Sequence, residues 1–406
     1  MPSNPFATFL ALSMLAGLAA PASAQVAKPA VASAEASART AALAAAERLA
    51  RWQLANMPAP MVLPEGLAPE RVKLARLSQA SNPWSWHQGT FWLGMTALAD
   101  ATSAPWLRQA IIMHGQTGEW QPGPRIDHAD DQLIGASYIW AAGHGAGRSV
   151  LEPLRQRFDA ILANPPQVHL ALVLGPDEAR GHMGAEALRR WSWADALFMA
   201  PATWLNMSRA TGDRRYRDHA LHEFWAANDF LYDPAERLYF RDSRFFDKRD
   251  DKGRKIFWSR GNGWVIAGLA QMIDALPPGT SERRRLERQF QVFAGRVVTL
   301  QKPDGYWSAS LLATEDTMPE SSGTALFTYG IAWGVGKGLL PRADYEPAAR
   351  RGWQALQAAI QPGGALGWVQ PAGDRPAPAT ASETQVYATG AYLLAATAIA
   401  NLDLKR

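Results

Sequence analysis

Trp258-Ser259-Arg260-Gly261-Asn262-Gly263-Trp264 sets one guanidinium between two indoles on a backbone that two glycines leave open. A guanidinium fork grips a carboxylate through two parallel hydrogen bonds, and indole faces stack on sugar rings or on the guanidinium itself. The pairing suits an acidic sugar; it equally suits a buried arginine paired with an aspartate and walled by core tryptophans. Asp195 follows Trp191 and Trp193 and precedes Phe198 and Met199. So apolar a setting raises a carboxyl pKa by desolvation, and a carboxyl kept protonated near neutral pH can act as a general acid. The competing role for Asp195 is a plain helix-start carboxylate capping free N–H groups. Asp130 and Asp131 sit one helix-opening cluster earlier. Two carboxylates across a shared funnel are what hydrolysis at an acetal-like carbon needs, one to give a proton and one to handle water. Adjacent aspartates on a helix point in different directions, so one of the pair faces the substrate, and Asp131 is preferred.

These residues must be positioned by helices. The clusters Trp84 to Gly89, His128 to Asp131, Trp191 to Asp195, Trp258 to Trp264, Glu320 to Thr324 and Ser382 to Thr384 each open an apolar stretch. From Asp131 to Asp195 is about 64 residues, on to Arg260 about 65, to Gly323 about 63 and to Thr384 about 61, while the step from His87 to Asp131 is about 44. The stretches that follow, such as Ala196 to Ser208, Val265 to Leu276, Ala325 to Gly334 and Val386 to Ile399, are apolar nearly all round, as in helices buried on every side. Their partners, such as Asp213 to Asn228 and Ser281 to Gln301, carry Arg and Glu on one face only, and Thr211-Gly212-Asp213 reads as a glycine stop followed by an acidic start. A period of this length marks an array of helix pairs. Six pairs make an all-α (α/α)6 toroid of six inner and six outer helices. An open helical scaffold is the alternative, and it has less use for acids and tryptophans at the helix starts.

Composition narrows the function. Of 406 residues, 17 are tryptophan, which implies an aromatic-lined cavity or an unusually aromatic core. The chain has no cysteine, so disulfides, thiolate catalysis and Cys-ligated metals are excluded. The net charge of +4 is spread along the chain without the basic runs of a nucleic-acid footprint, and it favours an anionic small partner. Neither a His-Glu-x-x-His motif, a glycine-rich phosphate loop nor a Gly-x-Ser-x-Gly elbow is present. Met1–Ala24 has an apolar run ending in Ala22-Ser23-Ala24, the pattern of a secretory leader and too short for a comfortable membrane span. The expected organisation is a signal peptide over residues 1–24, a linker over 25–37 and a single catalytic domain over 38–406, located in the periplasm or secreted.

The strings Trp191-Ser192-Trp193-Ala194-Asp195-Ala196-Leu197-Phe198-Met199-Ala200-Pro201, Ala129-Asp130-Asp131, Leu238-Tyr239-Phe240-Arg241-Asp242-Ser243-Arg244 and Trp258 to Trp264 resemble the unsaturated glucuronyl and rhamnogalacturonyl hydrolases of glycoside hydrolase families 88 and 105. The resemblance spans nearly the whole mature chain. It implies an (α/α)6 barrel, no metal or organic cofactor, and hydration of the C4=C5 double bond of a terminal unsaturated uronic acid left by a polysaccharide lyase. It casts Asp195 as principal acid/base, assisted by an aspartate of the Asp130-Asp131 pair. Arg260 becomes the carboxylate binder, with Trp258 and Trp264 framing the ring and Trp193 and Met199 beside it. The implied partner is an anionic unsaturated oligosaccharide, with no nucleic acid and no membrane once the leader is removed. Arg241 stands where relatives place a histidine, which points to an altered leaving sugar with an extra anionic group as one explanation; His87 and His182 are further candidates for polar contacts.

Overall fold

The computed structural model describes residues 27–69, 72, 75, 76, 79–173 and 186–402. The leader Met1–Ala24 and His182 lie outside the described residues. Among them are the helices α1 (Ala27–Ala55), α2 (Trp86–Thr102), α3 (Pro105–Thr117), α4 (Gly135–Ala141), α5 (Glu152–Ala163), α6 (Ala196–Met199) and α7 (Pro201–Thr211). The series continues with α8 (Arg214–Leu231), α9 (Ser259–Ala275), α10 (Ser281–Val298), α11 (Ser321–Gly336), α12 (Arg342–Ala358) and α13 (Val386–Leu402). One two-stranded antiparallel ribbon, Tyr232–Asp233 with Leu238–Tyr239, interrupts the helices. Helix α1 begins at Ala27, inside the stretch expected to be a linker; its dense alanine favours helix over coil.

The inner helices close into a ring. Helix α2 packs on α13, α13 on α11, α11 on α9, α9 on α6 and α7, α7 on α4, and α4 on α2. Around them α1, α3, α5, α8, α10 and α12 form the outer layer, so the fold is an (α/α)6 toroid. Composition explains which helix goes where. Almost every side chain of α11 and α13 is buried, whereas α10 buries only Leu286, Phe290, Phe293, Ala294 and Val297, one stripe at helical spacing, and turns its Arg and Glu residues outward. Gly212, at φ +82°, ends α7, and the Asp213 carboxylate accepts from Arg215 N to start α8.

Two inner elements differ from the sequence expectation. The stretch Ala196 to Ser208 is two helices, α6 and α7, because Pro201 has no N–H to continue the first and instead opens the second. Asp130 and Asp131 lie in a short 3-10 turn, Ala129–Asp131, ahead of α4. Outer-to-inner connections, such as residues 118–134, 232–258 and 359–385, are long and gather at the end where inner helices start. Inner-to-outer connections such as 103–104 and 212–213 are short and lie at the opposite end.

Ring closure rests on close backbone approach. A Cβ on Gly390 of α13 would lie 2.2 Å from the Thr90 carbonyl oxygen of α2, and one on Gly268 of α9 would lie 2.1 Å from the Leu197 carbonyl oxygen of α6. The Arg39 side chain of α1 then donates to the Ala101 carbonyl (3.1 Å) and the Ala400 carbonyl (3.2 Å), tying the last turns of α2 and α13 together. Gly390→Ala is expected to cost about 1–3 kcal/mol, because main chain cannot yield as a side chain does. A urea titration should show a lower midpoint at unchanged slope.

Candidate active site

Asp195 stands at the N-terminus of α6, yet its side chain caps nothing. Ala194 N donates to the Arg241 carbonyl at 2.8 Å, which lays the two segments side by side. The Arg241 Nε then sits 3.5 Å from Asp195 Oδ2, and both atoms are buried without a hydrogen-bond partner. Trp191, Trp193, Phe198 and Met199 are all buried around it. Burial pushes the Asp195 pKa up, against the opposing pull of Arg241 and Arg260.

Of the acid pair, Asp131 is held by Arg125 through Nη2 (2.5 Å), Nε (3.1 Å) and its backbone N–H (2.6 Å), so the carboxylate is a structural strut of the turn. Asp131 is the member the sequence reading prefers as substrate-facing; Asp130 is the member close enough to feel the charge of Asp195. Burial, with the nearby charges of Asp131 and Asp195, pushes Asp130 up to about 7 although Arg125 and Arg241 pull it down. His128 stacks near Trp193, with ring centroids 4.9 Å apart, and places Nδ1 3.6 Å from the Asp130 carboxylate.

Arg241 is the inner end of a charge ladder. Its Nη1 donates to Asp242 (2.8 Å), a fully buried carboxylate that also accepts from Arg244 Nη2 (2.7 Å); Arg244 Nη2 in turn reaches Asp374 (2.8 Å), which pairs with Arg375 (2.8 Å). Burial pushes both Asp242 and Asp374 up, and the arginines more than reverse it, so both stay below the usual carboxylate range. The Arg241-Asp242-Ser243-Arg244 run was visible in the sequence, where only Arg241 carried a role.

The arginine that opened the sequence reading has a different job. Arg260 is 1 % exposed; Nη1 donates to the Gln370 carbonyl (2.8 Å) and to Tyr387 Oη (2.6 Å), and Nη2 donates to the Pro371 carbonyl (2.9 Å). It lies between the rings of Trp258 (4.4 Å) and Tyr387 (5.0 Å), and Trp258 Nε1 donates to Gln370 Oε1. Nη1 and Nη2 are thus engaged by main-chain oxygens of the 359–385 connection and by the Tyr387 hydroxyl, while Nε is buried without a partner and the charge acts on Asp195. Trp258 and Trp264 are buried too, Trp264 against Phe198 (4.8 Å), so neither presents a face in this arrangement. His87 stacks on Trp86 at 3.7 Å; burial and Arg260 pull it down to about 3, leaving a neutral ring with an unpartnered Nδ1. Trp86 keeps partial exposure at this end. Tyr387, Gln370, Asp242 and Arg125 are site-building residues that the sequence reading missed.

Among the described residues no group of three or more His, Asp or Glu side chains could hold a metal ion, and no helix is long and apolar enough to cross a membrane. A cavity of about 1000 Å3, lined by Leu93, Trp140, Phe198, Tyr329 and Trp333 among others, opens at the other end of the ring, where inner helices finish. None of Asp130, Asp195 and Arg241 lines it.

The chain has relatives among known proteins. The sequence pattern of Glycosyl Hydrolase Family 88 matches residues 68–402. An Unsaturated 3S-rhamnoglycuronyl hydrolase of Alteromonas sp. (strain LOR) is 37 % identical over 355 residues, 86 % of this chain and 83 % of that protein. A protein of the same name from Formosa agariphila is 36 % identical over 330 residues, 79 % of this chain and 85 % of its own length. The solved structure of a glycosyl hydrolase family 88 protein from Bacteroides vulgatus superposes with a TM-score of 0.70 at 25 % identity, over 82 % of this chain and 99 % of that one.

The raised acid has a thermodynamic signature. Between the ordinary aspartate pKa and about 7, the folded protein keeps a proton on Asp130 that the unfolded chain has lost, so this residue makes stability fall as pH rises through that window. Asp130→Asn is therefore expected to be more stable than the parent at pH 8, with the gain shrinking toward pH 4. Paired denaturant titrations at the two pH values check it.

Proposed function

The chain belongs to Glycosyl Hydrolase Family 88, and from that premise we propose that Asp195 and Asp130 hydrate the C4=C5 double bond of a terminal unsaturated uronic acid and so release it from an oligosaccharide. The chain is an enzyme for unsaturated uronic acid glycosides. The observation that carries the residue assignment is the buried, unpartnered Asp195 Oδ2 at 3.5 Å from Arg241 Nε. A desolvated carboxyl with one oxygen free of any hydrogen bond can hold its proton there ready for an acceptor.

The chemistry follows from where charge develops. Asp195 transfers its proton to C4, the electron pair of the double bond forms the new C–H bond, and positive charge falls on C5 and the ring oxygen. The ionised Asp195 and the neighbouring Asp130 stabilise that charge. Water adds to C5, its spare proton passes to the acid pair, and the resulting hemiketal opens to a C5 ketone. The ring oxygen becomes a hydroxyl on C1, and the hemiacetal there collapses to an aldehyde, releasing the next sugar as an alcohol. One water is consumed overall, and the acid pair recovers its proton.

Arg241, in place of Arg260, takes the uronate carboxylate in this reading. That group is attached to C5, one bond from the carbon Asp195 protonates, so a guanidinium beside the acid is within reach of it. Arg260 becomes a positioning residue that fixes the 370–371 main chain. A rhamnose-linked uronic acid is the first substrate to try, given the name the two curated relatives share. The apolar leader ending at Ala24 supports export, to the periplasm or beyond.

Incubation with an unsaturated uronosyl disaccharide should abolish the absorbance of the conjugated double bond. A lyase would generate that absorbance from saturated polymer, and a sugar-binding protein would leave it unchanged. Asp195→Asn should lower kcat by about 10²–10⁴ or more at unchanged circular dichroism; near-parental turnover would move the acid role elsewhere. Arg241→Met should act mainly on KM, raising it by about tenfold or more, the loss of one charge-assisted contact.

A further inference from the structure

The cavity of about 1000 Å3 at the far end of the ring carries the same small unit twice. In one copy Trp140 of α4 donates from Nε1 to Asp100 of α2 (2.9 Å), and His144, four residues on, brings Nε2 to 3.8 Å from that carboxylate. In the other, Trp333 of α11 donates from Nε1 to Asp274 of α9 (2.7 Å), and Lys337, four residues on, pairs with that carboxylate. Helices α4 and α11 lie half the ring apart whichever way it is followed, so the two indoles stand on opposite walls. Each aspartate occupies the last turn of its helix, where the dipole disfavours a negative charge. What the two costly placements share is an indole fixed by its ring edge.

Between the indoles the wall is polar without being charged. The Asn206 side chain and the Thr203 hydroxyl of α7 both line the cavity and make no hydrogen bond to any described residue. Gln271 Nε2 donates to Tyr329 Oη at 2.7 Å, which leaves Gln271 Oε1 and the Tyr329 hydroxyl proton unused. The charged lining residues keep to the mouth: Asp100, His144, Arg148, Arg209 and Asp274 are exposed and Arg39 is half-buried. Helix-end carbonyls already engage two of these arginines, Ala101 and Ala400 holding Arg39 and Ala210 holding Arg148. A ligand lodged deeper meets aromatic surface, amides and hydroxyls. A sugar answers all three, because it has an apolar C–H face for an indole and hydroxyls that both donate and accept. The volume is at the top of the range for small-molecule sites, room for more than one sugar ring.

We propose that this cavity is a second carbohydrate site, for an uncharged disaccharide or longer oligosaccharide, distinct from the centre around Asp195. Trp140 and Trp333 each take the face of one sugar ring, and Thr203, Asn206 and Gln271 bond the hydroxyls between them. Helix α6 forms the partition: Phe198 lines the cavity and packs on Trp264, while Asp130, Asp195 and Arg241 do not reach it. The site is independent of which residues carry the hydrolysis.

Ligand-observed NMR titration of the full chain with cellobiose, maltose and rutinose tests it, with choline as a cationic control; none of the sugars carries an unsaturated uronic acid. At least one disaccharide should bind with a Kd of about 10 mM or tighter, and more tightly than choline. Trp333→Ala should weaken that binding by about tenfold or more, and Asn206→Ala by about threefold or more. Asp195→Asn should leave it unchanged. Both cavity variants should keep the parental circular dichroism and the parental turnover of an unsaturated uronosyl disaccharide. Should Trp333→Ala fail to fold, Asn206→Ala decides alone. Absence of binding by all three sugars, binding that survives the cavity variants, binding lost in Asp195→Asn, or a preference for choline overturns the proposal. An inactive parent would sink the hydrolase reading alone, since sugar binding is read without turnover.

Discussion

Everything at the site depends on a ring of inner helices that all start at one end. The alternation of inner and outer helices makes each chain segment return over the outside, so the long connections collect on a single face and the short ones on the other. Backbone contacts at Gly390 and Gly268 hold neighbouring inner helices close enough for the ring to be narrow. That narrowness desolvates whatever stands at the helix starts. Burial in that ring is what pushes Asp195 and Asp130 up, against the pull of the arginines beside them.

Burying acids among arginines is stable only when the arginines are occupied. The ladder from Arg241 to Arg375 does this by interleaving Asp242 and Asp374, each shared by two guanidinium groups. Asp242, fully buried and held below the usual carboxylate range, fixes Arg241, while Asp195 on the other side of that guanidinium keeps Oδ2 without a partner. Two aspartates that share one arginine are thus driven to opposite protonation preferences by their other neighbours. One residue type is thus pushed up at position 195 and held down at position 242 by its surroundings alone.

The helix architecture was largely legible in the sequence, and the hydrogen-bond partners of the buried arginines were not. The spacing between Asp131, Asp195, Arg260, Gly323 and Thr384 follows from a repeating structural unit, and periodicity survives any detail of side-chain contact. The apolar run around Asp195 signalled burial correctly, since burial is what such a run does. Arg260 was ambiguous in the sequence because indoles flank a buried strut and a sugar clamp alike; its bonds to the carbonyls of Gln370 and Pro371 come from more than a hundred residues away. The choice between Asp130 and Asp131 turned on Arg125, a loop residue whose reach depends on the turn it sits in. Pro201 was in plain sight, and its break between α6 and α7 is a local effect that the apolar pattern masked.

Arg39 has an implication for how the chain reaches this state. It staples the helix formed by the first described residues to both α2 and the C-terminal α13, and α13 is the helix that seals the ring against α2. During synthesis the growing polypeptide is an open arc whose α2 flank faces solvent until the last seventeen-residue helix has left the ribosome. Until Val386–Leu402 docks, the ring is open at its α2 side, and the uncovered inner helices form an apolar face for chaperones to shield.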